Sequence, residues 1–198
     1  MKYPPNYHQE NNKLRLLEVI KNYPLATVIS VSKNQPFVTH LPLIYRAEGT
    51  KLIGHIDIYN PHAKLLQENN EVYVVFSGPQ CYISPSIYTT KQLPTWNYIN
   101  VHLKGKVIAL NSNEALKESL IEMTSFLEAP THKYILEPSN PKMEAAINYI
   151  KMFEITIESW EGKFKLSQDK NTQDMANAKA ELIRANKKSI QDFLNKIL

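Results

Sequence analysis

The sequence predicts a mainly β protein of the α+β class: an antiparallel β-barrel with peripheral helices and a C-terminal helix. Short runs rich in β-branched and aromatic residues follow one another with brief polar connections. The alternating βαβ units that a parallel sheet requires are absent. Helical periodicity is confined to the N-terminal edge, the second half and the C-terminus.

The elements follow in order. Asn11–Asn22 sets Leu14, Leu16, Leu17 and Ile20 on a helical period and stops before Tyr23-Pro24. Leu25–Val31 and Pro36–Ile44 are strand runs joined by the polar Ser32-Lys33-Asn34-Gln35, a hairpin signal. Lys51–Ile56 and Glu71–Ser77 continue the strand pattern around a short helix at Pro61–Gln67. Cys81–Ser84 reads as another strand and Tyr98–Leu110 as a long one. Beyond them Leu116, Leu120, Met123 and Leu127 repeat at helical steps. Asn140-Pro141 combines an N-cap with proline at the first helical position, opening a helix through Met143, Ile147 and Ile150. Phe153–Trp160 is expected to turn at Glu161-Gly162 into Lys163–Leu166. Thr172–Leu198 is amphipathic, with Met175, Ala178, Leu182, Phe193 and Ile197 along one stripe.

A length of 198 residues suits one domain, or one domain with a helical appendage. Twenty-three basic against 19 acidic residues give a net charge of +4, which favours anions without marking a nucleic-acid protein. Only Arg15, Arg46 and Arg184 are arginines, so bidentate phosphate or guanine readout has few candidates. Cys81 stands alone, which excludes an intrachain disulfide and a cysteine metal cage. The first residues lack a signal-peptide apolar run, and nothing approaches the roughly 20 apolar residues of a membrane helix. A soluble, cytoplasmic protein is expected.

Gly-rich phosphate loops, a His-Glu-x-x-His helix, zinc spacing and a Gly-x-Ser-x-Gly elbow are missing. The six histidines are scattered, so no metal site is assigned. No helix-turn-helix signature or basic stripe stands out.

Four stretches carry chemistry. In Gly54–Lys64 a strand end runs into a helix start, with Asn60 as N-cap and Pro61 at the first helical position. Unpaired N–H groups there suit a phosphate, and His62 and Lys64 add donors. An ordinary capped helix with solvated basic residues fits the same spacing. In Thr39-His40-Leu41-Pro42, proline inside a strand run implies an edge or a bulge with free backbone groups. A buried, satisfied histidine is the plain alternative for His40. Cys81–Tyr88 and Pro94–Tyr98 are dense in aromatics and hydroxyls, the material of a pocket for a flat ligand or of a core. Gly162–Gln168 ends in hydroxyl and amide groups, its lysines forming a solvated face on the simplest reading.

Taken in order, several segments resemble the PaiB family of FMN-binding negative transcriptional regulators. They are Tyr3-Pro4, Phe37–Pro42, Gly54-His55, Asn60-Pro61, Gly78–Pro85, Pro94–Tyr98 and Lys165–Gln168. The resemblance spans nearly the whole chain and implies a split β-barrel like that of pyridoxamine-phosphate oxidases. It further implies a homodimer with FMN in the cleft between subunits. Residues 1–170 would form that domain, and 171–198 a C-terminal helix packed on the barrel or on the partner. Carried over by position, Asn60, His62 and Lys64 would face the phosphate, and Thr39, His40, Leu41 and His55 would line the flavin. Ser84, Ser86, Trp96 and Asn97 would close the site from either subunit, with Lys165, Ser167 and Gln168 near its rim. Many members carry tryptophan where this chain has Ala63, so flavin coverage at that corner is expected to differ.

Three functions fit such a site. The first is a regulator in which FMN shifts binding to DNA or a protein partner, helped by Lys179, Arg184, Lys187 and Lys188. The second is an FMN-dependent oxidoreductase, with His40, Tyr82 and Tyr88 as candidate catalytic residues. The third is a haem-binding or haem-degrading protein with His40 or His55 as ligand.

Overall fold

Apolar residues at every second position build the sheet, because successive side chains of a strand point to opposite faces. The computed structural model describes residues 4–110 and 112–187. Tyr3, Lys188, Phe193 and Ile197, named above, lie outside the described residues. The strands are β1 (Gln9–Glu10), β2 (Leu25–Ser32), β3 (Gln35–Arg46), β4 (Lys51–Asp57), β5 (Glu71–Ile83), β6 (Thr95–Ala109) and β7 (Ile150–Lys165). Their order is β1-β7-β4-β3-β2-β5-β6, and β6 pairs back onto β7, so all but β1 close into a ring. Every pairing is antiparallel. The interior is filled by Val28, Leu43, Leu52, Val74, Phe76, Leu103 and Phe153.

The ring is split at β3. It pairs with β2 from Gln35 to Pro42 but with β4 only from Leu43 to Arg46. Among the described residues, 35–42 therefore have a sheet partner on one side only. Pro42 sits at the changeover, where its missing N–H costs no ladder bond.

Helix α1 (Lys13–Asn22) is capped by Asn12, whose side chain accepts from the Leu14 N–H, and it buries Leu16, Val19 and Ile20 in the barrel core. α2 (Asn113–Glu128) and α3 (Pro141–Ala146) cover the outer face of β3, β4 and β7, where Leu116, Met123 and Met143 meet Ile44, Ile53 and Met152. α4 (Thr172–Asn186) packs Ala178 and Leu182 on Cys81 and Ile83 of β5. It is pinned by buried Asp174, which accepts from the Thr89 N–H at 2.6 Å and from the Thr90 hydroxyl at 2.7 Å. Another buried carboxylate, Glu154, is held by Arg46 at 3.1 Å and Lys51 at 2.7 Å. No described helix is long and apolar enough to cross a membrane.

Some elements differ from expectation. Glu161-Gly162 does not turn; it lies within β7, paired with His102 and Val101 of β6. Gly162 is needed for close approach, since a methyl there would meet Leu16 at 2.6 Å and the Glu10 carbonyl at 2.5 Å. Cys81–Ser84 is no separate strand; β5 continues through an irregularity between Ser77 and Gln80. The helix expected over 61–67 is one 3₁₀ turn, Pro61–Lys64. The helix opening at Asn140 ends at Ala146, followed by a 3₁₀ turn at Ile147–Tyr149, and Ile150 already belongs to β7.

Candidate functional site

The Asn60 cap forms as its sequence demands: its side chain accepts from the His62 N–H at 3.0 Å. The turn is short, and from β7 the Lys151 ammonium donates to its Ala63 carbonyl at 3.4 Å and to the Leu66 carbonyl just beyond it at 2.7 Å. Lys64 is exposed. His62 is not. It is 1 % exposed, with Nδ1 bonded to the Thr39 hydroxyl and Nε2 to the Ser30 hydroxyl, both at 2.9 Å. Burial lowers its pKa, so the ring is neutral and needs one donor and one acceptor, which two hydroxyls supply. His62 thus docks the turn against β2 and β3 instead of offering a donor outward.

Period two divides the Thr39–Leu41 segment. Thr39 and Leu41 pair with Val28 and Ala26 and face the core, whereas His40 pairs with Thr27 and is exposed on the outer face. His55 lies elsewhere: its Nε2 bonds the Ser119 hydroxyl of α2 at 2.8 Å. Burial pushes its pKa down to about 4 from an ordinary 6.5.

The remaining predicted residues gather at the far ends of β5, β6 and β7. Ser84 and Ser86 bond each other at 2.8 Å in a turn. The Trp96 indole donates to Gln80 at 3.0 Å, and its ring lies 6.3 Å from that of Tyr82. Asn97 is buried and donates to the Ser167 oxygen at 3.1 Å, and Tyr88 bonds the same oxygen at 2.9 Å. Lys165 donates to the Thr95 hydroxyl at 2.6 Å. Gln168 accepts from the Leu166 N–H at 2.7 Å and lies 3.2 Å from His8 Nδ1.

The structure thus forms two groups and leaves His40 and His55 apart from both. Thr39, Asn60 and His62 meet at the open part of β3, on which Leu41 also lies; Asn97, Lys165 and Ser167 line a cleft at the end of β6 and β7. β2 and β5 separate β3 from β6. Sequence reasoning missed Ser30, His8 and Lys170. Ser30 had a signal: it is the polar member of the inward register Ala26, Val28, Ser30.

The sequence profile of a protein family described as "Putative FMN-binding domain" matches residues 2–159. The chain belongs to this family. Its cofactor is a flavin. A Bacillus subtilis (strain 168) relative, "Protease synthase and sporulation protein PAI 2", is 30% identical over 178 residues, covering 88% of this chain and 86% of the relative. The expected PaiB-type membership is therefore borne out. The fold resembles that of the FAD and heme binding protein from Mycobacterium smegmatis, with a TM-score of 0.66 and 19% identity over 85% of this chain and 79% of that one. The flavocytochrome Anf3 from Azotobacter vinelandii gives a TM-score of 0.64 and 19% identity over 86% of this chain and 75% of that one. The residues present suit a flavin: β3 offers a one-sided backbone edge, and the Asn60 turn carries an exposed cation beside it.

The half-buried, neutral His55 makes the fold acid-sensitive. Its folded pKa is below the unfolded value, so its contribution is complete above pH 6.5 and is lost as the pH falls to about 4. The loss is on the order of 3 kcal/mol. Lowered values at His8, His62 and His102 act in the same direction. Urea midpoints measured across this range should fall less steeply in His55→Gln. An unchanged slope would mean that His55 is hydrated in the folded state.

Proposed function

We propose that the protein is a homodimeric, FMN-responsive regulator of the PaiB type. The observation that carries this reading is the break in pairing at Pro42, which leaves backbone groups of residues 35–42 open to a planar, hydrogen-bonding ligand. FMN lies along that edge, with its phosphate toward Asn60 and Lys64. Thr39 and His62 hold the edge and the turn together from inside. When bound, FMN supplies an isoalloxazine ring that accepts and gives up electrons.

A second copy completes the site. Leu25, Val31 and Val38 on the outer face of β2 and β3 are 61%, 67% and 54% exposed, and Ile29 lies between them. Ile29, Val31 and Val38 are adjacent in register, with Leu25 beyond Thr27 and His40, and exposed apolar side chains so placed support self-association. Ser84, Ser86 and Trp96 then serve the partner's flavin rather than their own, whereas Asn97, Lys165 and Ser167 line a separate cleft.

The regulatory part rests on the name of the Bacillus relative and on the exposed Lys179 of α4 and Lys187 at its C-cap. Arg184 is held by Glu181 at 2.6 and 2.7 Å, so a DNA contact through α4 is a lysine–phosphate contact. Gel-shift titrations with and without FMN should show binding that depends on FMN and weakens as salt rises. Absence of any shift at low salt in both forms would remove the direct DNA role.

One observation favours an oxidoreductase as a second reading: the cleft beside Lys165 and His8 has the size of a small substrate. Anaerobic reduction of the bound flavin by nicotinamide cofactors supports it, and no reduction counts against it. A haem ligand is less well served. His55 spends its Nε2 on Ser119, which leaves exposed His40.

A further inference from the structure

We propose that the cleft between the N-terminal arm and the ends of β6 and β7 binds a small anionic molecule whose carboxylate or phosphate sits beside an O–H or N–H donor. Lys165 neutralises the anion, and His8 Nε2 accepts from the donor. As a substrate subsite this deepens the oxidoreductase reading and rests on it, whereas the binding itself requires no flavin.

Strand pairing assembles the cleft from three distant parts of the sequence. β1 pairs Gln9 with Lys163, which carries His8 to the end of β7, and β6 pairs Tyr98 with Lys165. The resulting space, about 350 Å³, is lined by Tyr7, His8, Thr95, Asn97, Lys165 and Lys170 among others. That is the low end of ligand-pocket sizes and suits a small metabolite.

The cleft is electrostatically uneven. Of its two lysines, Lys170 is 2.7 Å from Asp169, a carboxylate that also lines the cleft, so Lys170 is already paired. Lys165 instead donates to a neutral hydroxyl, that of Thr95. An ammonium has three donors, so two remain for a ligand. An anion meeting them would make charge-assisted hydrogen bonds.

The tautomer of His8 follows from its neighbour. Gln168 accepts the Leu166 N–H through Oε1 and donates to the Phe164 carbonyl through Nε2, which fixes the orientation of the amide. His8 Nδ1, 3.2 Å from that same Oε1, must therefore be the protonated nitrogen. Burial first, and Lys165 second, lower the His8 pKa against the opposing pull of the Asp169 carboxylate, and the ring stays neutral. Nε2 is then the acceptor of the ring, on a residue that lines the cleft beside Lys165. The floor is firm: buried Ser167, at φ 63°, is bonded to both Asn97 and Tyr88.

The test uses flavin-free, ¹⁵N-histidine-labelled protein titrated with glycolate, inorganic phosphate and acetate. The His8 Nε2 resonance is assigned by its loss in His8→Gln. Glycolate or phosphate should shift it saturably, and acetate, which lacks a donor, should bind more weakly. Whichever of glycolate and phosphate binds more tightly identifies the head group as carboxylate or phosphate ester. Lys165→Gln should weaken the response about tenfold, as expected for one charge-assisted hydrogen bond, with an unchanged urea midpoint. No saturable shift with either anion, or equal affinity in Lys165→Gln, would overturn the proposal. So would one-for-one displacement of the probe by FMN, because the cleft would then seat the flavin phosphate. FMN binding measured separately shows whether the flavin reading stands or falls apart from the subsite.

Discussion

Replacing His62 by alanine lowers stability by about 3 kcal/mol and weakens FMN binding about tenfold. The side chain is fully buried and joins three segments: the Asn60 turn, Ser30 of β2 and Thr39 of β3. Its removal leaves a cavity the size of an imidazole and a Ser30 hydroxyl, itself 4 % exposed, without its partner. The turn is only four residues long, so it has no helix of its own to restore its position. His62→Leu separates the two effects. It refills much of the volume without restoring the hydrogen bonds, so it should recover part of the stability but little of the FMN affinity. Urea unfolding and flavin fluorescence titration measure the two quantities. Full affinity in both variants would mean that the turn does not contribute to the flavin site.

Gly105→Ala is expected to destabilise by about 3 kcal/mol, more than an exposed strand substitution costs. Gly105 lies where the β6–β7 register shifts: Lys104 opposes Ser159, but Gly105 opposes Ile157, so Glu158 is the extra residue. The two backbones come so close there that an added methyl would lie 2.7 Å from the Ile155 side chain and closer still to the Thr156 carbonyl oxygen. A side-chain contact can relax by rotation, but a carbonyl held in a ladder cannot. The β6–β7 pair closes the ring, so the strain falls on the barrel itself. A fall in urea midpoint with unchanged m-value is the expected signature. A neutral substitution would mean that the bulge is looser than its geometry.

Local features were legible in the sequence and convergent ones were not. The β2–β3 hairpin could be read because alternation and the polar Lys33-Asn34 turn act over few residues, and both turn residues adopt positive φ, at 49° and 63°. The Asn60 cap was legible for the same reason. The role of His62 was not, since two histidine nitrogens and two hydroxyls meet only after β2 and β3 pair in one register. Gly162 shows the opposite error. A glycine after a charged residue looks like a turn, but here its missing side chain admits β1 and Leu16. The cleft at His8 and Lys165 was half legible. Lys165, Asn97 and Ser167 belonged to motifs, whereas His8 reaches them only because a two-residue strand pairs across the barrel.

Sedimentation velocity, recorded in the visible absorption band of the flavin with a saturating addition of FMN, tests the central claim most directly. The bound flavin should travel with a particle of twice the chain mass, and Lys64→Gln should leave more of it free at the same concentration. Flavin that sediments only as the free nucleotide, or that travels with a single chain, would contradict a flavin held between two copies.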